Sequence, residues 1–328
     1  KLLSIEDARK NKAQLSFEGK DAPKRPTYLG QRFLKNIDLA TLVDYIDWSP
    51  FFRVWDLSGS YPTILNDAVH GEMARKVFAD GQKMLEKLIK GKWLTANATL
   101  ALMPANSVND DDIEIYTDES RSKVAFTYYG VRQQNEKPVV DGVARPNQCM
   151  SDFIAPKSSG IKDYIGMFGV TAGLGIEKYL EQFETELDDY DAIMLKALAD
   201  RLVEALAEYL HELVRKDLWG YSSDEAFTNE QLIKEHYRGI RPAPGYPSCP
   251  EHTVKDDLFR ILRCEEIGMK LTESYAMLPT ASITGFYFAH PDAHYFTIGK
   301  IGKDQVSDMA KRRNVPEEQL AKWLAPIL

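Results

Sequence analysis

The sequence predicts a fold of mixed helices and strands that is not of the Rossmann type, and three observations predict it. Runs 99–103, 113–116 and 125–131 have the composition of short strands separated by turn-rich segments. A long helical pattern covers 188–216, with Leu195, Leu198, Leu202, Leu206, Tyr209 and Leu213 on one stripe. The only glycine-rich turn after a strand-like run is Ala172-Gly-Leu-Gly175, following 164–171. It carries Lys178 where a dinucleotide fingerprint needs its third glycine.

Bulk properties narrow the function. At 328 residues the chain can hold one large or two ordinary domains, and 44% hydrophobic with 27% charged residues suits a packed core. A net charge of −8 argues against nucleic-acid binding by bulk electrostatics. No apolar run approaches membrane-spanning length, so no membrane association is expected. Cys149, Cys249 and Cys264 are odd in number and widely spaced, which fits neither a disulfide framework nor a zinc site and suggests a reducing, cytoplasmic setting. The start, KLLSIEDARKNK, is charged throughout and lacks an initiator Met, as expected of a fragment of something larger.

Taken in order, residues 1–27 are polar, with Pro23 and Pro26 near their end, and read as an arm or linker preceding a domain over 28–328. Residues 38–48 form a short amphipathic helix that Ser49-Pro50 should end, leaving Asp47 at its exit beside Trp48. A second helix within 67–90 should pack through Val69, Met73, Val77, Met84, Leu85 and Leu88. Asn109-Asp-Asp-Asp112 lacks the ligand alternation of an EF-hand and reads as a solvated turn, and 132–150 as a polar surface excursion. On the 188–216 helix, Asp200, Glu204, Glu208 and His211 share a face. Such a stripe is ordinarily the wet side; the alternative is that it faces a cleft and meets the positive end of a ligand. Residues 256–267 are helical, 282–289 and 294–301 read as an aromatic hairpin across His290-Pro-Asp-Ala293, and helices 303–313 and 316–324 close the chain. Lys311-Arg312-Arg313 suits a helix C-terminus and could also dock an acidic partner.

The densest chemistry lies in Arg241-Pro-Ala-Pro-Gly-Tyr-Pro-Ser-Cys-Pro-Glu-His-Thr253. Its prolines exclude helix and central strand, so it should be a stiff extended loop whose polar groups are set before a ligand arrives. Arg241 offers a planar donor fork for a carboxylate or phosphate. Gly245 stands where a side chain would block close approach to the backbone.

Together, YIDWSPFF (45–52), KALADRLVEALAEYLHE (196–212), GIRPAPGYPSCPEHT (239–253), LTESYAM (271–277) and FAHPDAHYF (288–296) closely resemble the C-terminal, S-adenosylmethionine-binding activation domain of cobalamin-dependent methionine synthase. The resemblance runs from about residue 4 to residue 328, and its most specific part is RPAPGYP with the preceding helix. It implies a single C-shaped α+β body around a twisted antiparallel sheet with flanking helices. It also implies reactivation chemistry: oxidised cob(II)alamin, held by another domain, is returned to methylcobalamin with a methyl group from S-adenosylmethionine. The electron would come from a flavodoxin or a diflavin reductase.

Matched residue by residue, the resemblance implies ligand contacts at Asp47, Arg241, Ala243, Gly245, Tyr246 and Tyr295, with Phe296 adjacent. Arg241 would take the ligand carboxylate bidentately and Asp47 its ammonium. Glu204 and Glu235 would line the cleft near the sulfonium or ribose, and His252 with Tyr246 would face cobalamin. No side chain need act as acid or base, and no protein metal site is implied, because the nucleophile is reduced cobalt. The family has a second tyrosine where this chain has Phe296, so a hydroxyl contact is lost there. The chain shows no DxHxxG cobalamin signature, so it is expected to be a fragment or a separate activator subunit, not competent alone for the full methyltransferase reaction of methionine biosynthesis. The competing reading is a non-catalytic docking module that binds a cobalamin domain or flavodoxin without S-adenosylmethionine.

Overall fold

A computed structural model describes all residues 1–328. Its frame is a six-stranded antiparallel sheet built on β2 (Thr95–Val108), which is buried along almost its whole length. One edge of β2 pairs with β5 (Asp163–Leu174), and β5 pairs in turn with β6 (Ser282–Tyr287). The other edge of β2 takes β1 (Gly30–Leu34) and then β3 (Asp112–Tyr116), which carries β4 (Val124–Tyr129). Every pairing is antiparallel, and the sheet is open.

Alternation along the strands feeds two apolar layers. Leu100, Leu102, Phe168, Val170 and Tyr287 pack against α4 (Gly71–Lys90) and α6 (Asp189–Leu213). Ala101, Met103, Ile165, Met167 and Phe286 pack on the opposite face against α8 (Val254–Leu262). A smaller third core joins α9 (Lys303–Arg313) and α10 (Glu317–Trp323) to Val131, Ile298 and Ile301. The chain is therefore a mixed α+β domain with helices on both sides of an antiparallel sheet, as the sequence predicts.

Several local expectations are corrected. The segment 294–301 forms no strand. One side of β6 is used by β5, and the other is taken by the proline ribbon: Ile240 and Phe288 exchange backbone bonds of 3.1 and 3.0 Å, and Phe286 N–H donates to Pro242 O at 2.9 Å. With both sides of β6 used, 294–301 has no ladder left to join, and Ile298 N–H bonds instead to Pro247 O at 3.0 Å. The 38–48 helix stops early, at α2 (Leu39–Val43), and Pro50 opens α3 (Ser49–Arg53) instead of ending a helix, as suits a residue with no N–H to offer. Val69 and Met73 are exposed, because α4 begins only at Gly71 and turns Ala74, Val77, Leu85 and Leu88 inward.

The acidic turn and the polar excursion are also not what they seemed. Asp111 and Asp112 are buried, as are Arg132, Gln133, Gln134 and Asn147. Arg132 donates from Nε to Asp111 (2.7 Å) and forks onto Asp152 (3.0 and 2.9 Å). Arg9, from α1 (Ile5–Lys10), bridges Asp111 and Asp308, and Arg312 bonds Asp112. Acidic groups that look solvated in one dimension find partners between 20 and 299 residues away in three, and Arg312 and Arg313 at the end of α9 bond acidic groups within the chain.

Gly285 on β6 is where the ribbon comes closest. A Cβ there would lie 2.5 Å from Pro242 O and 2.8 Å from the Phe168 ring. Gly285→Ala should therefore cost about 1–3 kcal/mol in chemical denaturation, as overpacked sites do; an unchanged midpoint would show that the ribbon is not seated on β6.

Candidate ligand-binding site

The ribbon 241–249 owes its shape to a few backbone bonds. Gly245, at φ +95°, donates to Cys249 O (2.7 Å), and Cys249 N–H returns to Tyr246 O (2.9 Å). Its positive φ favours glycine, and a Cβ on Gly245 would sit 2.4 Å from the His252 ring. Tyr246 projects from the turn with 58% exposure.

Arg241 is anchored before any ligand is considered. Its Nη1 and Nη2 fork onto Glu208 Oε1 and Oε2 at 3.0 and 3.2 Å, and Nη1 also lies 3.0 Å from His211 Nδ1 and 3.2 Å from the Tyr237 hydroxyl. The Arg241 backbone N–H donates to the Tyr295 hydroxyl at 2.9 Å. Burial opposes the guanidinium charge, but Tyr237 and Glu208 outweigh it and raise the pKa above its ordinary value. The end of the guanidinium fork is thus already used internally. The Nε–H and the second Nη2 hydrogen have no acceptor in the protein, so the side edge of the guanidinium remains available.

Beside this anchor lies a cavity of about 340 Å³. It brings together six of the residues singled out in the sequence: Glu204, Arg241, Ala243, Tyr246, Tyr295 and Phe296. Glu204 comes from the middle of α6 and has no hydrogen-bond or ion-pair partner in the protein. Burial raises its pKa, against the pull of Arg201 and Arg241. A larger cleft of about 850 Å³ between 12–18 and 151–161 contains none of these residues and is lined mainly by polar groups.

Four expected residues stand outside the cavity wall. Asp47 Oδ1 accepts from Ser49 N–H (3.1 Å), and its backbone oxygen accepts from Arg201 Nη1 (3.2 Å). It therefore connects to the site through Arg201, whose charge also reaches Glu204 and Tyr246. Gly245 lies in the turn behind Tyr246. His252 is exposed, its Nδ1 3.0 Å from Lys255 Nζ. Glu235, two residues before Tyr237, is exposed as a residue, but partial desolvation of its carboxyl raises its pKa against the opposing charge of Arg241.

The sequence names Glu208 and His211 only as members of the α6 polar stripe, and it does not single out Tyr237 at all. Glu208 and His211 lie on the α6 stripe read as the ordinary wet face, yet Glu208 is 6% exposed and His211 fully buried. The available signal was their spacing, which puts them one and two turns below Glu204, pointing the same way.

With this geometry in place, comparison with known proteins is decisive. Residues 38–314 match the family model described as "Vitamin B12 dependent methionine synthase, activation domain". The chain belongs to that family. It is also similar to a solved structure, the MetH reactivation domain bound to AdoHcy, at 47% identity and a TM-score of 0.93, over 100% of this chain and 98% of that one. The matched span of the activation-domain model includes the ribbon, α6 and Asp47, so the whole candidate site lies within the family's common body.

The Arg241 anchor makes a pH prediction. His211 Nδ1 faces a group that can only donate, so the imidazole must be neutral; burial, then the charges of Arg215 and Arg241, hold its pKa well below the ordinary 6.5. The unfolded chain therefore takes up this proton first, and the histidine's contribution to stability is lost as pH falls below 6.5 toward the folded value. On acidification from about pH 7 to about pH 5, the wild type should lose stability relative to His211→Asn, with a slope approaching about 1.4 kcal/mol per pH unit. Parallel pH profiles of the two proteins would contradict a neutral, Arg241-bound His211.

Proposed function

We propose that this activation domain binds S-adenosylmethionine in the cavity beside Arg241 and presents its methyl group to a cobalamin held by another domain. It would thereby support reductive return of cob(II)alamin to methylcobalamin, with an electron from a flavodoxin or a diflavin reductase. The observation that carries this reading is Glu204: a carboxylate in a small, partly aromatic cavity with no cation of the protein bound to it. Even a half-buried carboxylate without a partner is unfavourable, and a cation arriving with the ligand relieves it. The bound AdoHcy in the similar solved structure has the same frame without the methyl group, which supports the choice of ligand.

The residues divide the work by charge. Glu204 faces the sulfonium, which supplies the transferable methyl. The free side edge of Arg241 takes the ligand carboxylate, and Asp47, whose Oδ2 accepts no bond in the protein, takes the ammonium. Backbone groups about Ala243 and Gly245 receive the adenine, and Tyr295 and Phe296 close the apolar side. Glu235 stands near the Arg241 end as a further acidic group. Tyr246 and His252, both exposed, face outward toward the cobalamin domain. Methyl loss neutralises the sulfonium, so Glu204 contributes to binding more than to the transfer itself.

That asymmetry sets the test. Calorimetric titration should show AdoMet binding to the wild-type chain. Glu204→Gln should weaken AdoMet by about tenfold, some 1.4 kcal/mol, with AdoHcy affected much less. Equal losses for the two ligands would remove Glu204 from the sulfonium, and no AdoMet binding by the wild type would overturn the proposal as a whole.

A further inference from the structure

The core behind the cavity contains a concentration of unpaired polar atoms. Of the eight buried side-chain polar atoms without a hydrogen-bond partner, four cluster here: His211 Nε2, Arg215 Nη1, and the hydroxyls of Tyr221 and Tyr287. All four side chains are buried. His211 and Arg215 are one turn apart where α6 widens into the π-turn Val214–Leu218. The Tyr287 ring stacks on His211 at 5.1 Å between centroids, and Arg215 lies over the Tyr237 ring at 4.1 Å, with that ring also edge-on to His211 at 4.8 Å. The charge of Arg215 reaches both phenols, and Tyr221 reaches Tyr287.

The hydrogen-bond character of each atom follows from its neighbours. Arg241 can only donate, so His211 Nδ1 accepts and its proton must sit on Nε2, making Nε2 a donor. Arg215 spends Nε and Nη2 on Glu225 at 2.6 and 2.8 Å, so Nη1 is a second donor. The two phenols can accept. Leaving such groups without a partner in the core is unfavourable.

We propose that these four atoms bind one internal water molecule. Water accepts two hydrogen bonds and donates two, which matches two donors and two acceptors. A small anion fits less well. The charges of Arg215 and Arg241 are already balanced by Glu225 and Glu208, so an anion would bring an uncompensated charge into the core. The water ties the His211 ring, and through it Arg241, to β6 and the π-turn. This inference does not depend on which ligand the outer cavity takes.

The test is a crystal structure of the full chain after a sodium bromide soak. The expected result is a density peak within about 2.7–3.2 Å of at least three of the four atoms and no bromine anomalous signal at that point. An anomalous peak there would make it an anion site, and absence of density, with the side chains paired to one another, would leave no site; either result overturns the proposal. In solution, magnetic relaxation dispersion should count one fewer long-lived internal water in Tyr287→Phe than in the wild type, and equal counts would contradict the assignment. If that variant does not fold, the wild-type density still decides.

Discussion

The Arg241–Glu208 pair carries the architecture of the site. The ribbon that bears Arg241 is poor in backbone donors, because prolines stand at 242, 244, 247 and 250. It cannot secure itself as a full strand would. A two-pronged ion pair to a residue of α6, with His211 and Tyr237 completing the set, fixes its position against the helix. Removing one partner of such a pair leaves a buried charge and typically costs about 3–5 kcal/mol. The pair also shapes chemistry. It consumes the end of the guanidinium fork and so leaves Glu204, not Arg241, as the group in the cavity with an unmet electrostatic demand.

Helix α6 grades from solvent to core along a single face. Asp200 is exposed, Glu204 half-buried, and Glu208 and His211 buried. Each turn down meets a lower dielectric, and the required partner changes accordingly: water for Asp200, a proposed ligand cation for Glu204, a protein guanidinium for Glu208. His211 responds by remaining neutral. One amphipathic helix can thus supply both the fixed scaffold of the site and its binding group.

Much of this is legible in the sequence. The strands at 113–116 and 164–171, α6, α9 and the rejection of a nucleotide loop at Gly173–Gly175 followed from periodicity and glycine count, which local sequence controls. Six of the ten expected ligand-site residues meet in one cavity because the RPAPGYP motif and the 295–296 aromatics are specific. What was hidden depends on contacts distant in sequence. Nothing near Asp111 reveals Arg132, Arg9 or Arg312 as its surroundings, so a buried ion network reads as a wet turn. The hairpin at 282–301 failed for a similar reason: the partner of β6 is a ribbon some forty residues upstream. Asp47 stands outside the cavity wall and connects to it only through Arg201, a partner 154 residues away that nothing beside Asp47 in the sequence announces.

The central claim is that Arg241 and Glu208 act as a coupled, buried unit that seats the ribbon on α6. A double-mutant cycle on unfolding free energy, with Arg241→Met, Glu208→Gln and the combination, tests it most directly. The account predicts a coupling of about 2 kcal/mol or more, the double variant being far less destabilised than the sum of the singles. A coupling within about 0.5 kcal/mol of zero would mean that the two residues act independently, and would contradict it.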